Sequence, residues 1–448
     1  MNNHKCFFYL NTFVLMYKTF KLEIEKIGIN SNTEIFLAIS GGIDSMVLSD
    51  LLIQSGISHT LLHCNFKLRD TESDYDEEFI RQHAKKNKLD YHINCFDTNE
   101  KANELKLTTQ ECARKLRYDW FFTYLNNENS ILLTAHHLDD SIETFLINLL
   151  RGTGLKGLTG INSGDRQIYR PLLPFSKVEI HEFALKNNII YREDSSNLSN
   201  NYLRNKLRHQ LIPNLKSLSE NFDSKISTLF TELKETDVFI ENYLAAQKLT
   251  LNKTKQIRIS DLNHIPQFMW HRLFSEFGLS RIHRLELVKL TKSITGSIFN
   301  SSTHILLKDR ENIIIKAASK IDDILILIKS VESNIKLKNS ELKLNEIVKG
   351  QKRNFRSNCA YLDLDKISWP MTLRNYRNGD KMVPFGLKGN KLISKILKDK
   401  KLNKFQKERQ YVIESNGKVI WLLDLVISNQ FSITEETSRI IKIEHIQY

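Results

Sequence analysis

The sequence predicts an α/β protein: a parallel-sheet domain, then a mostly helical domain, then a small basic α+β domain. Three observations carry this expectation. Residues 34 to 195 alternate short apolar runs with amphipathic stretches, the pattern of a parallel sheet with helices on both faces. Residues 203 to about 295 are helical in pattern throughout, with Pro213 and Pro266 as breaks. From about residue 350, strand patterns and one helix mix with a dense run of lysine and arginine. A chain of 448 residues exceeds what one core usually holds. The expected division is an N-terminal extension and leading helix over 1–33, the sheet domain over 34–212, the helical domain over 213–320, a linker or strand pair over 321–349, and the basic domain over 350–448.

Taken in order, the apolar run Cys6 to Tyr17 is broken by Asn11 and Thr12 and falls short of the ~20 residues that span a bilayer, so no membrane partner is expected. It lacks a small-residue cleavage site and reads as an extension leading into the first helix, with Met16 as an alternative start. Ile35 to Ile39 reads as a buried strand. A glycine turn follows, then a helix that turns Val47, Leu48, Leu51 and Leu52 to the sheet and closes at Gly56. Thr60 to Cys64 and Tyr91 to Phe96 read as strands flanking a helix through Tyr75, Phe79 and Ile80. A helix with Cys112, Leu116 and Trp120 on one face leads to a strand at Ile131 to Ala135. Ligands of such sheets bind at the carboxyl ends of strands, so the loops after Ile39, Cys64 and Ala135 should meet. Farther on, Ser297 to Ala317 alternates as a hairpin turning at Asp309 to Asn312. The last domain should hold strands at Thr372 to Tyr376, Tyr411 to Glu414 and Val419 to Leu425, and a helix at Leu392 to Leu402.

The net charge of +13 is unevenly spread, because Lys349 to Arg409 carries 17 Lys/Arg against 5 Asp/Glu. Such concentration points to a polyanion partner, since each neutralised phosphate releases counterions. The five cysteines (Cys6, Cys64, Cys95, Cys112 and Cys359) are scattered, with no C-x-x-C pair and no zinc spacing, which fits a reducing cytoplasm.

Ser40-Gly41-Gly42-Ile43-Asp44-Ser45 lies between the first strand and its helix. Two glycines let the backbone turn sharply and approach an anion, the helix start presents unpaired N–H groups, and the serine hydroxyls add donors. The segment reads as a phosphate cradle. A Walker loop would need its own lysine before the Ser/Thr, and none is present. Asp44 has two readings, a Mg²⁺ ligand or a helix cap.

S-G-G-x-D-S resembles the PP-loop of ATP-pyrophosphatases, which hold the leaving pyrophosphate and release AMP. Four further segments resemble the tRNA(Ile)-lysidine synthetase family: His63-Cys64-Asn65-Phe66-Lys67-Leu68-Arg69 with Glu72-Ser73-Asp74; Gln110-Glu111-Cys112-Ala113-Arg114 with Leu116-Arg117-Tyr118; Thr134-Ala135-His136-His137-Leu138-Asp139-Asp140 with Glu143-Thr144 and Arg151 to Leu158; and Arg170-Pro171-Leu172-Leu173 followed by Asp194 to Asn197, Tyr202, Arg204, Asn205 and Arg208. They stand in the family's order and cover about residues 34 to 210. Phe66 replaces a usual histidine and Ser141 a usual glutamine. A looser likeness to the family's terminal tRNA-binding module runs from Arg374 through Arg377, Asn378, Gly379, Asp380 and Lys381 to Pro384 and Gly386.

The resemblance implies a ligase. ATP adenylates the C2 oxygen of the wobble cytidine in a CAU-anticodon tRNA(Ile), and the ε-amine of free L-lysine displaces AMP to give lysidine. ATP and Mg²⁺ are the expected cofactors, tRNA(Ile) and L-lysine the partners, and a homodimer is left open. The expected ATP-binding residues are Ser40, Gly41, Gly42, Ile43, Asp44 and Ser45. Asp139 and Asp140 are expected to hold Mg²⁺ (Asp44 with Asp139) or L-lysine, against the alternative that one of them caps the following helix. His136 is either catalytic or a structural hydrogen-bond partner. Arg114 and Arg117 either clamp the phosphate or pair with Glu111 or Asp119. Arg204 and Arg208 are expected to reach the tRNA backbone, as are Arg374, Arg377 and Lys381; for Arg204 and Arg208 a solvated helix face is the alternative. A tRNA thiolase of the same superfamily normally needs a cysteine pair or an iron-sulfur site, and a non-catalytic RNA-binding protein needs no intact loop with Asp44.

Overall fold

The computed structural model describes residues 3–68, 71–165, 167–192, 203–319, 323–349, 351 and 353–448, with backbone alone over 3–14. Arg69, Asp194 to Asn197 and Tyr202, all part of the resemblance, lie outside the described residues. The chain divides into two units, residues 1–243 and 244–448.

The first unit begins with helix α1 (Asn3–Ile27). There follow β1 (Glu34–Ala38), α2 (Ile43–Gln54), β2 (Thr60–Asn65), α3 (Thr71–Asn87), β3 (Tyr91–Cys95), α4 (Thr98–Leu105), α5 (Thr109–Phe122), β4 (Ser130–Leu133), α6 (Leu138–Leu150), α7 (Leu155–Leu158), β5 (Gly164–Asp165), β6 (Ile168–Tyr169) and α8 (Lys177–Lys186). The sheet order is β3-β2-β1-β4-β6-β5, with all pairings parallel except β5 to β6. The chain winds outward from β1 to β3 and then returns to the other side of β1 at β4. Loops leaving β1 and β4 therefore diverge at a switch point and open a crevice between them.

The apolar spacing of α2 explains its burial: Val47, Leu48, Leu51 and Leu52 are fully enclosed and pack with Met16, Phe20 and Ile24 of α1 and Ile180, Phe183 and Ala184 of α8 on one face of the sheet. Leu62, Phe121, Leu132 and Ile168 form the core on the other face. Thr108 starts α5 with a reciprocal cap: Glu111 donates its amide to the Thr108 hydroxyl and returns its carboxylate to the Thr108 amide. Helix α4 was not anticipated.

Past the sheet come α9 (Leu203–Lys206), a π-turn over Leu207–Leu211, α10 (Ile212–Leu218) and α11 (Phe222–Thr254). Pro213 falls in the first turn of α10 directly after the π-turn, and the helical run continues through it instead of breaking there. Leu207, Ile212, Ile226 and Phe230 pack onto Leu138, Ile142 and Leu146 of α6.

In the second unit, β7 (Gln256–Arg258) departs from the expected all-helical stretch because it pairs with a later strand. Short helices α12 (Ile259–Asn263) and α13 (Trp270–Leu273) and then α14 (Arg284–Lys292) lead to β8 (Ile298–Asn300), β9 (His304–Asp309) and β10 (Asn312–Ala317), which form a four-stranded sheet with β7 in the order β7-β10-β9-β8. The turn lies at Arg310 and Glu311, as expected. The segment left as linker or strand pair forms three strands, β11 (Leu325–Ile328), β12 (Ser333–Leu337) and β13 (Ser340–Ile347). These belong to the same two sheets as β14 (Cys359–Asp363), β15 (Met371–Asn375), β18 (Tyr411–Ser415), β19 (Lys418–Leu422), β20 (Val426–Ile427) and β21 (Ile440–Gln447). A small ribbon of β16 (Lys381–Met382) and β17 (Lys391–Leu392) leads into α15 (Ile393–Asp399) and α16 (Lys404–Glu408). No helix among the described residues is long and apolar enough to cross a membrane.

Candidate active site

The crevice at the switch point is a cleft of about 850 Å³, lined by Ser40, Asp44 and Ser45 after β1, by His63 to Phe66 at the end of β2, by Gln110, Arg117 and Tyr118 of α5, by Thr134 to His136 and Asp140 after β4, and by Arg204, Asn205 and Arg208. Gly41 has φ +88°, a conformation open to glycine and strained for other residues. Gly42 caps α2 without any side-chain hydrogen bond, so the first turn keeps its amides for a ligand. Ser45 braces the loop: its hydroxyl donates to the Gly42 carbonyl at 2.9 Å and accepts from the Ser40 amide at 3.2 Å. The Arg192 amide donates to the Gly41 carbonyl at 3.0 Å, and its guanidinium pairs with Asp76.

The carboxylates divide their work. Asp44 accepts from the Lys177 ammonium, and His137 Nε2 lies 3.8 Å from the same oxygen. Asp140 Oδ2 accepts from the His137 amide at 3.0 Å, the capping role weighed for one member of the pair. Asp139 reaches across to another helix: Oδ2 accepts the Lys177 backbone amide at 2.8 Å at the start of α8, and Oδ1 the Lys216 ammonium at 2.7 Å. Each Asp139 oxygen thus has one partner, a backbone amide on Oδ2 and an ammonium on Oδ1. Among the described residues no group of three or more His, Cys, Asp or Glu is placed to hold a metal. Burial pushes the Asp140 carboxyl up, but the imidazoles of His137 and His136, the His137 amide and Arg204 outweigh it and hold the group below the usual carboxylate range.

His136 lines the cleft with Nδ1 2.9 Å from the Thr134 hydroxyl. Burial lowers its pKa to about 4; nearby Asp140 opposes this, while Arg170, Arg204 and Arg114 reinforce it, so the ring is neutral near pH 7. Arg117 lines the cleft with its guanidinium 5.2 Å from the centroid of Phe66, whose ring stacks on Phe96 at 5.7 Å. Arg114 stays outside that lining and lies over Tyr118, while Asp119 pairs with Lys115 and Glu111 with Thr108. Burial raises the Cys64 thiol to about 12 despite Arg117 nearby, which makes it a poor nucleophile.

Arg204 and Arg208 each turn one edge of the guanidinium onto α6. Both donate through Nε at 2.6 Å to Glu143, a carboxylate of 0% exposure, and Arg208 Nη2 adds a bond at 3.2 Å. The pair thus neutralises a buried charge and walls the cleft, while the two guanidinium groups keep 45% and 36% exposure. Glu143 itself escaped the sequence reading of site residues. Its signal was an acidic residue between Ile142 and Leu146 on the buried side of α6, with two arginines four positions apart farther on. Arg374 is 7% exposed and donates to both oxygens of Asp380 and to Glu414, so its guanidinium is engaged inside its own domain. Arg377 and Lys381 are exposed.

Family models match three stretches: the PP-loop domain over residues 16–215, the TilS substrate binding domain over 250–319 and the TilS substrate C-terminal domain over 371–445. The tRNA(Ile)-lysidine synthase of Parabacteroides distasonis is 33% identical, with 95% of this chain and 99% of the relative covered. Proteins of the same name from Bacteroides thetaiotaomicron (29%, covering 91% and 94%) and Porphyromonas gingivalis (30%, covering 90% and 92%) are also similar.

Proposed function

The chain belongs to the tRNA(Ile)-lysidine synthase family, and from that membership we propose how its cleft carries out the reaction. The enzyme is an ATP-using ligase that forms a C–N bond between L-lysine and tRNA(Ile), giving lysidine. The observation that carries the proposal is the uncapped start of α2, opening at the β1/β4 switch point into a cleft lined by Arg117, His136 and Arg208. The amides that open α2, at Ile43, Asp44 and Ser45, hold the β- and γ-phosphates, leaving the α-phosphorus toward the cleft, while the Ser40 and Gly42 amides brace the loop on Ser45 and Ser40.

The C2 oxygen of the wobble cytidine in a CAU anticodon attacks that phosphorus as its bond to pyrophosphate breaks. The guanidinium of Arg117, on the cleft wall, takes up the charge that spreads on the phosphoryl oxygens. The lysine ε-amine then bonds to C2, the C2–O bond breaks, and AMP departs with the oxygen. Before attack the amine must shed a proton, and the acceptors on the cleft wall are the carboxylates of Asp44 and Asp140 and the His136 imidazole. Mg²⁺ fits beside Asp44, a hard oxygen donor at the loop that already holds a cation on Oδ1, and when bound it would neutralise phosphate charge; Asp139 likewise holds a cation on Oδ1, with its other oxygen on the Lys177 amide.

Incubation with ATP, labelled L-lysine and a panel of tRNA transcripts tests the proposal. Label should enter only the CAU isoleucine transcript, with AMP and pyrophosphate released; production of ADP, or label in no RNA, overturns it.

A further inference from the structure

The phosphate cradle Ser40 to Ser45 contains no lysine or arginine. A cation nevertheless stands at its rim. Lys177 opens α8, a position where the helix dipole disfavours positive charge, and its ammonium rests on Asp44, in the first turn of α2. Its backbone is fixed, because the Lys177 amide is held by Asp139, itself clamped by Lys216. The side chain keeps 41% exposure, so its tip is free to swing about an anchored stem.

Resting on the reading of this cleft as the ATP site, we propose that Lys177 is the polyphosphate-binding lysine that the loop itself lacks. When nucleotide enters, the ammonium passes from Asp44 to oxygens of the β- and γ-phosphates. The loop supplies directed amides and Lys177 supplies the charge, acting as a point cation that needs no fixed fork geometry. Asp44 is the resting partner that keeps this cation in place while the cradle is empty. The group recognised is the diphosphate tail, so nucleotides without it should be indifferent to Lys177.

The test is equilibrium titration of the full chain with ATP, AMP and inorganic pyrophosphate, in the presence of a chelator so that divalent ions play no part. Lys177→Met should weaken ATP and pyrophosphate about tenfold or more, the loss expected of one charge-assisted contact, and leave AMP within about twofold. Lys177→Arg should restore most of the loss. Thermal melting of each variant reports folding, and Lys177→Gln replaces Met if the latter melts early. Equal weakening of ATP and AMP, or no change for either, overturns the assignment of Lys177 and leaves the ATP site standing. Wild-type protein that bound neither ATP nor pyrophosphate would overturn both.

Discussion

Replacing Glu143 by Gln keeps its shape and removes its charge, and the structure sets the size of the effect. The native carboxylate has no exposure and receives three guanidinium bonds, at 2.6, 2.6 and 3.2 Å. A hydrogen bond to a charged group contributes about 1.5–3 kcal/mol net, so full loss of three would run to several. The whole sum overstates the cost, because Arg204 and Arg208 are 45% and 36% exposed and can rehydrate once released. The amide nitrogen of Gln, by contrast, would meet N–H donors with another donor. A loss of about 2–3 kcal/mol is expected, equivalent to about 5–10 °C in the melting of a unit this size. Because the freed arginines wall the cleft, kcat/KM for lysine incorporation should fall about thirtyfold or more. Calorimetry and the labelled-lysine assay measure the two, and the double variant with Arg208→Ala should show strong non-additivity. Unchanged melting with activity within twofold would refute the idea that Glu143 positions the arginine pair.

Arg374→Ala should destabilise the second unit by about 3 kcal/mol, since it strands Asp380 and Glu414, while RNA affinity of the folded fraction stays put; filter binding that collapses with normal melting would restore Arg374 as an RNA contact. Phe66→Ala removes the ring beneath Arg117 and should cost about 0.5–1 kcal/mol in the adenylation step, read as AMP formation, with Phe66→Tyr close to wild type; a larger loss in Tyr than in Ala would contradict the stacking role. Gly41→Ala has room for its Cβ, 3.5 Å from Phe79, but not the right φ, so the KM for ATP should rise about tenfold for about 1–3 kcal/mol of strain. His136 and His83 titrate near 4 when folded and near 6.5 when unfolded, so the unfolded chain takes up more protons between those values. Stability should therefore be level above pH 6.5 and fall by about 1–3 kcal/mol per histidine as pH drops toward 4; a urea midpoint constant from pH 7 to 5 would count against this.

The parallel sheet was legible because its strands and helices carry their own periodicity: Ile35, Val47, Leu61 and Ile131 all lie where spacing placed them, in the core. The phosphate loop was legible because glycine and serine there have few other uses. Less visible was β7, three residues whose strand character comes from pairing with Asn312 to Ile314, a partner distant in sequence. Strands β12 and β13 were ambiguous because their mixed polarity reflects one wet face. In the site, residue types were readable and partners were not. Arg374, with 7% exposure, and Arg377, at the surface, look alike in a basic run, and only the half-buried Asp380 and Glu414 beside Arg374 tell them apart. Lys177 gave no signal at all, since one lysine beginning a helix is unremarkable until a fold brings Asp44 beside it.

Strand β21 sits between β13 and β14 and pairs antiparallel with both. During synthesis those two neighbours leave the ribosome long before the strand that joins them. Until it arrives β14 has only an unmated edge, and β13 leans on its hairpin partner β12 alone. A nonsense or frameshift lesion anywhere upstream of Ile440 therefore removes the keystone of this sheet, and the product would meet proteases with its apolar strands unsealed.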